Sequence, residues 1–134
     1  MQDFTKLRVW DRASRLAVRI DHESRTFPAS GYGWLAAQMR RSSASVAANI
    51  AEGCGRDGPR EFARFLQMAP GSALETRSHV SHAAAVGIIA RRRSMALDQE
   101  LCELGRMLNR LIQRVRASKS RHAGRQEPIT RTTD

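Results

Sequence analysis

Arginine is the residue type that gives this sequence most of its chemical character. Of the 23 basic residues only Lys6 and Lys119 are lysines, and the formal net charge is +10. A guanidinium group binds phosphate through paired hydrogen bonds and stacks on exposed bases, so an arginine-rich surface suits a nucleic acid. GC-rich codon usage, which favours arginine over lysine, is the alternative explanation for the same composition.

Many of these arginines recur at helical spacing. They step by four, three and four residues in an N-terminal segment and by four in a C-terminal one, so each set forms a stripe on a helix. If the two helices are neighbours, the stripes merge into one electropositive surface. The predicted nucleic-acid-binding residues are Arg8, Arg12, Arg15, Arg19, Arg106, Arg110, Arg114, Arg116 and Lys119.

A glycine-rich turn at residues 53–58 matches the GxGxxG pattern. It follows a helical segment and not a strand, so it does not predict a dinucleotide site. Backbone amides at the start of the next helix can still face an anion. We therefore predict a secondary anion site at Arg56 and Arg60.

Neither metal binding nor catalysis is expected. Glu75 and His79 lack the Glu-x-x-His spacing of a di-iron centre, and His79 with His82 offers only two metal ligands. Cys54 has no base close to it in sequence, and both Cys54 and Cys102 are interpreted as reduced thiols. We expect a protein that is not an enzyme and needs no metal or cofactor.

Four stretches of helical periodicity must position these residues, and short connections join them. Such a pattern predicts an all-α, antiparallel, up-down-up-down four-helix bundle. We place the bundle in residues 1–117 and a basic, flexible tail in residues 118–134. The four stretches are residues 5–26, 34–53, 59–87 and 94–117.

Local signals refine this layout. In the fourth stretch Leu97, Leu101, Leu104, Leu108, Leu111 and Val115 alternate steps of four and three, the seam of a left-handed bundle. Pro70 marks a break in the third stretch, but the apolar stripe keeps its phase, which favours one kinked helix over two separate ones. Gly87 is the expected end of that helix, and Ser94 the expected N-cap of the next.

The second stretch is apolar or small on nearly every side, whereas a helix buried on one face normally has a polar back. A chain of 134 residues is too small to bury such a helix completely. We therefore predict a homo-oligomer; an exposed alanine-rich helix is the alternative. The predicted oligomer interface comprises Ala37, Arg41, Ala44, Ala48 and Ala51.

A structural polar network is predicted where the second and third helices face each other. If the chain folds back near residue 56, Glu75 lies opposite residue 37 and can pair with Arg40 or Arg41. Asn49 and Glu52 would satisfy backbone groups at the tight end of the hairpin. The predicted members of the network are Arg40, Asn49, Glu52, Ser72 and Glu75.

No apolar run approaches the length of a membrane span, and the N-terminal residues do not resemble a signal peptide. We expect a cytoplasmic protein that does not engage membranes.

Several blocks of this sequence resemble the four-helix bundle proteins encoded in intervening sequences of bacterial 23S ribosomal RNA genes, also called S23 ribosomal proteins. The similarity spans about residues 4–115, and its most specific part is the block NIAEG at 49–53. Other matching blocks are FTKLRVW (4–10), QMRR (38–41), GR (55–56), EF (61–62), FL (65–66), GS (71–72), Glu75 and RML (106–108).

The resemblance implies a four-helix bundle without enzymatic activity that forms homo-oligomeric rings, typically pentamers, and serves nucleic acid. A related branch comprises accessory proteins of diversity-generating retroelements, which work with RNA. This chain departs from the family pattern with Ala47 in place of proline, Arg77 in place of an acidic residue, and Pro70. From residues and resemblance together we expect an oligomeric RNA-binding accessory protein. A scaffold that docks an acidic protein through its basic face is the alternative.

Overall fold

The structure, a computed structural model, describes residues 2–123 and is helical throughout, with short connections. The predicted fold class is confirmed: the chain is an antiparallel four-helix bundle. A short 3-10 turn (Phe4–Lys6) precedes the helices α1 (Arg8–Ser24), α2 (Ala29–Cys54), α3 (Gly58–Leu66), α4 (Met68–Ala85) and α5 (Arg91–Ala123).

Helices that are consecutive in sequence are neighbours in space. α2 packs against α1, α3 and α4, and α5 packs against α3, α4 and α1. Within the described residues α1 does not pack on α4, nor α2 on α5, so these pairs lie on the diagonals. This up-down-up-down order closes the square by placing α1 beside α5.

The core consists of aliphatic stripes at helical spacing. Each fully buried leucine or isoleucine contributes about 1.5–3 kcal/mol and fixes which face of its helix points outward. On α5 the buried position after Leu108 is Ile112, whereas the predicted Leu111 and Val115 are half-buried against the core, because a helix of 3.6 residues per turn drifts away from a strict 3.5-residue repeat. The buried stripes of α1 and α5 are Val9, Ala13, Leu16, Ile20, Leu97, Leu101, Leu104, Leu108 and Ile112.

α3 and α4 together form the third arm of the four-helix bundle, and this arm bends at Gln67, close to the predicted kink. Pro70 lies in the first turn of α4 and has no N–H to donate to the Leu66 carbonyl, so the hydrogen-bond ladder opens there. Gln67 keeps right-handed helical angles (φ −68°, ψ −18°), and both α3 and α4 pack against α2 and α5. The two helices therefore form one bent arm.

Gly87 ends α4 as predicted. Its φ of +82° is a left-handed conformation that favours glycine. The Gly87 N–H donates to the Ala84 carbonyl (3.1 Å) and the Ile88 N–H donates to the Ala83 carbonyl (3.1 Å). This pair of bonds is a Schellman motif, which satisfies carbonyls at the helix end.

Both ends of α5 differ from the prediction. Ser94 is not the N-cap, because α5 begins at Arg91; Ser94 is buried and its Oγ donates to the Arg91 carbonyl (2.8 Å). The helix also continues to Ala123, past the expected end near residue 117. The rest of the predicted tail, residues 124–134, lies outside the described residues.

Candidate nucleic-acid interface

A groove runs along the outer surface between α1 and α5. The two helices are antiparallel, so the Arg12 guanidinium reaches the Met107 Sδ (3.7 Å), and two turns further along Arg19 reaches Glu100. This packing brings arginines from both predicted stripes into one groove. Seven basic and three acidic side chains line it: Lys6, Arg8, Arg12, Arg15, Arg19, Arg110 and Arg114, with Asp11, Glu100 and Glu103.

Four of the predicted arginines have carboxylate partners. All of these pairs are partly exposed, and exposed ion pairs contribute only about 0–1 kcal/mol, so a phosphate can compete for the guanidinium groups. The pairs are Arg15 with Asp11 (3.0 Å), Arg19 with Glu100, Arg106 with Glu103 (3.0 Å) and Arg110 with Glu103 (3.5 Å).

Arg8, Arg12 and Arg114 form no direct ion pair with a carboxylate among the described residues. All three are exposed, and among residues 2–123 no carboxylate oxygen lies within 4.0 Å of them. With Lys6, which the sequence reasoning did not select, they cluster where α1 begins. The charges lining the groove leave a surplus of four positive charges, and the unpaired ones are concentrated at this end.

The arginines around Glu103 change the pKa of its carboxyl group. A hydrogen bond from Arg106, together with the charges of Arg106, Arg110 and Arg12, lowers the pKa of its carboxyl group below the usual range. The carboxylate therefore stays ionised, and it offsets only part of the charge on the surrounding arginines.

Arg116 lies outside the groove. Residues 114 and 116 are separated by roughly 200° around a helix, so the two side chains leave α5 in nearly opposite directions. Arg116 lies beside α3 with Arg60 and Arg64 and contacts the Gln67 side-chain amide. Arg116, which was expected to extend the surface formed by the C-terminal stripe, thus lies on a different face of α5 from Arg114. The Lys119 side chain lies outside the described part of the structure.

The predicted secondary anion residues do not share a site. The Arg56 guanidinium lies 4.7 Å from the centre of the Phe65 ring and is paired with Glu52 at 3.3 Å. Arg56 lines a cleft at the end of the bundle, whereas Arg60 is on the other side of α3. Their common position near the start of α3 does not bring their charges together.

The outer face of α2 carries the predicted oligomer-interface residues. Ala37, Ala44 and Ala48 are exposed, and Ala51 is half-buried. Arg41 is also exposed, and its guanidinium donates to Gln38 (2.9 Å) on the same helix. The face is smooth and almost free of charge in the single chain.

The polar network has a different register from the predicted one. Ser72 meets Ser45 (Oγ to Oγ, 3.0 Å), and Arg41, not Arg40, pairs with Glu75 (2.6 Å). These contacts centre the α2–α4 pairing near residue 58 and not near residue 56, although the chain turns between Cys54 and Gly58 as expected. Arg40 instead donates to the Ser24 Oγ on α1 (2.8 Å).

The other two predicted network members make contacts within α2 or with the turn that follows it. Asn49 donates to the Ser45 carbonyl (2.9 Å) and Glu52 pairs with Arg56, so neither satisfies backbone groups at the tight end of the hairpin.

Sequence reasoning missed the buried centre of this network. Thr76 Oγ1 lies 2.8 Å from the Ser42 Oγ and 2.8 Å from the Ser72 carbonyl oxygen, and both hydroxyl-bearing side chains of this pair are completely buried. Both residues lie on core-facing positions of their helices. A polar residue that keeps phase with an apolar stripe is the signal that would have revealed them.

No metal centre is formed in the described part of the chain, where His, Cys, Asp and Glu side chains do not gather in groups of three or more. His79 Nε2 lies 3.4 Å from Glu75 Oε1, and His82 packs at the edge of the Trp34 ring (5.6 Å between centroids). The two histidines therefore have structural neighbours and do not converge.

The aromatic residues lie away from the groove. Trp10 is half-buried against Phe4 (4.9 Å between centroids), Tyr32 is half-buried, and Trp34 is 53% exposed near the start of α2. None of them lines the α1–α5 groove in the described structure. The groove therefore offers charge and shape, without an aromatic surface for stacking.

Fold and surface together define a small, basic four-helix bundle protein with a groove rich in arginine between its first and last helices. None of the described helices combines the length and the apolar character that crossing a membrane requires.

This chain belongs to the 23S rRNA-intervening sequence protein family, whose family model matches residues 5–110. Its fold is similar to the crystal structure of a protein of unknown function from the S23 ribosomal protein family of Bacteroides thetaiotaomicron. The two share 24% sequence identity with a TM-score of 0.71, over 78% of this chain and 97% of the other. Among curated proteins no sequence match is found. The family resemblance seen in the sequence is thus confirmed.

Proposed function

We propose that this protein binds RNA through the α1–α5 groove, by contacts with phosphates and with the shape of the backbone. The observation that carries the proposal is the convergence of arginines from two distant segments in one groove, with Arg8, Arg12 and Arg114 lacking a carboxylate partner among the described residues. Membership of a family named for 23S rRNA intervening sequences makes RNA the preferred polyanion.

The geometry favours phosphate contacts over base reading. Guanidinium groups present paired donors that match phosphate oxygens. The groove has no aromatic side chain on which a base could stack, so it provides little means of telling one sequence from another. We expect fully paired RNAs of similar size and different sequence to bind this groove with similar affinity.

Binding to a labelled RNA hairpin, measured at several salt concentrations, tests the proposal. Affinity must fall steeply as salt rises, because each neutralised phosphate releases a counterion. A flat response, or equal binding of an acidic polypeptide such as polyglutamate, would refute RNA recognition by this groove. The second outcome would favour the protein-scaffold alternative.

We also propose that the exposed alanine face of α2 mediates self-association. Ala37, Ala44 and Ala48 present a surface of methyl groups on which a second copy could pack closely, and Trp34 adds exposed apolar area to the same helix. The face is on α2, diagonal to α5, so an oligomer formed through it leaves much of the groove accessible.

Replacing Ala44 by arginine tests this proposal. A long charged side chain at the centre of the face should shift the protein from oligomer to monomer in light scattering coupled to size exclusion. Ala96→Arg is the matched control, since Ala96 is exposed on α5 and carries the same change. An Ala44→Arg protein with unchanged mass, or a monomeric wild type, would refute the proposal.

A further inference from the structure

A cleft opens at the end of the bundle where α2 ends and α3 begins, next to the groove. Its volume is about 570 Å³, within the range of small-molecule sites. Pro59, Phe62 and Val115 supply apolar walls, and Gln2 and Arg114 supply polar groups. This cleft is distinct from both the α1–α5 groove and the alanine face of α2.

Arg114 connects the cleft to the groove. It lines both, and it is one of the arginines without a carboxylate partner among the described residues. Arg56 is also at the cleft but is paired with Glu52 at 3.3 Å, so Arg114 is the described arginine of the lining that has no carboxylate partner. A phosphate bound to Arg114 would therefore belong to a ligand that can reach the groove on one side and the cleft on the other.

Tight local packing holds the cleft in shape. The Gln2 N–H donates to the Cys54 carbonyl (2.9 Å), which pins the N-terminal residues across the end of α2. Gly53 allows α3 to approach so closely that a Cβ atom there would lie 3.1 Å from the Phe62 ring. These contacts fix the N-terminal residues and α3 in position around the cleft.

The polar groups in the cleft suit a neutral ligand surface with donors and acceptors. The Gln2 amide offers both, and its Oε1 lies 3.9 Å from the Cys54 Sγ. Burial, followed by the charge of Asp3, raises the pKa of the Cys54 thiol, so no thiolate repels a ligand at neutral pH. A nucleobase, apolar on its faces and polar on its edges, matches such a lining.

We propose that this cleft receives one unpaired nucleotide of the RNA held in the α1–α5 groove, with Arg114 on the adjoining phosphate. The inference rests on the proposed RNA binding, and it names the substrate class: RNA with an unstacked nucleotide, such as a bulge or a single-stranded end. A cleft of about 570 Å³ has room for one base and not for a duplex, and an unpaired base costs less energy to extrude than a paired one.

Two hairpins that differ only by a single-nucleotide bulge test the inference. Wild-type protein should bind the bulged hairpin roughly tenfold more tightly, the effect expected from seating one base. A 2-aminopurine placed in the bulge should change its fluorescence on binding. Equal affinity for both hairpins, with no fluorescence change, would overturn the inference while leaving groove binding intact.

Variants separate the cleft from the groove. Val115→Trp fills the cleft and should abolish the preference for the bulge while binding to the paired hairpin persists. Gln2→Ala, a change at an exposed residue that cannot disturb the core, should weaken the preference severalfold. Ala117→Trp is the matched control, since Ala117 is exposed on the same helix. A bulge preference that survives both cleft variants would refute the assignment.

A free nucleotide carries the same base and phosphate groups as a nucleotide of RNA, so it is the alternative ligand for the cleft. Adenosine monophosphate, titrated without RNA, should bind only weakly, because one phosphate cannot engage the groove. Tight binding that Val115→Trp abolishes would identify free nucleotide, and not a base of RNA, as the ligand. Failure of wild-type protein to bind either hairpin would refute the proposed function itself.

Discussion

Replacing Arg8 and Arg12 by alanine removes two groove charges that form no direct ion pair with a described carboxylate. Both side chains are exposed on α1, and alanine is the best helix former, so the bundle should fold normally. The double variant lowers the net charge from +10 to +8. A change in RNA affinity can therefore be assigned to lost phosphate contacts and not to unfolding.

The size of the effect follows from counterion release. Each neutralised phosphate contributes about 0.7 to the salt slope for single-stranded nucleic acid and about 0.9 for a duplex. Losing two contacts should lower the slope by about 1.4–1.8. The electrostatic part of the association constant varies as a power of the salt concentration, and the slope is the exponent. The smaller slope should therefore weaken binding at about 0.1 M salt roughly 25- to 60-fold.

Arg91→Ala with Arg92→Ala provides the matched control. These arginines are exposed at the start of α5, as Arg8 is at the start of α1, and the double change lowers net charge by the same amount. Fluorescence anisotropy with one labelled hairpin at four or more salt concentrations gives the slope for each protein. We expect the control slope to stay within about 0.5 of wild type. Equal slopes for the two double variants would mean that net charge, and not the groove, determines binding.

Three further predictions concern the scaffold. Thr76→Val should destabilise the fold by about 1–2 kcal/mol in urea denaturation, because the buried Ser42 hydroxyl loses its 2.8 Å partner; unchanged stability would show that this hydroxyl pair contributes nothing. Gly53→Ala should lower the melting temperature, because the added Cβ atom would lie 3.1 Å from side-chain atoms of Phe62 and Phe65 on α3. Gly105→Ala is the control: the added Cβ atom would meet no atom within 4 Å, so stability should rise by up to about 1 kcal/mol. Cys54, isolated by changing the other cysteine to serine, should react with a disulfide reagent more slowly in the folded than in the unfolded chain at pH 8, because the side chain is buried and burial raises its thiol pKa; equal rates would contradict this.

The pKa of Cys54 also gives a pH dependence with a definite sign. In the folded chain the thiol binds its proton more tightly than in the unfolded chain. Its contribution to stability is therefore complete below the unfolded pKa and is lost as pH rises toward the folded value. The loss of stability above about pH 8.5 should be smaller in Cys54→Ala; an identical pH profile for both proteins would refute this linkage.

The helical core could be predicted from sequence because it depends on local periodicity. Residues such as Leu16 and Leu104 recur at spacings that leave one face of a helix apolar, and burial of that face follows directly. The kink near Pro70 and the stop at Gly87 were also predictable, since a missing N–H and a left-handed φ act within one turn of the chain.

Register was harder to predict, because small shifts along two helices move every contact between them. The expected fold-back near residue 56 placed Glu75 opposite residue 37, whereas in the structure Glu75 pairs with Arg41, about one helical turn further along α2. Helical spacing alone separates Arg114 and Arg116 by roughly 200°, but only the packing of α5 decides that Arg114 lies in the groove and Arg116 beside α3. Neither the Glu75–Arg41 pair nor the placement of the two arginines can be predicted from residue type alone.

Sequence by itself determined that this chain is a basic helical bundle, that its charge is mostly guanidinium, and that α2 has a small-residue face, because composition and helical period are local properties. Tertiary structure alone decided which arginines share a groove, which of them a carboxylate partly neutralises, and that a cleft adjoins Arg114. Those facts depend on how α1 and α5 are placed side by side, and that placement is fixed by the packing of all the helices around one core.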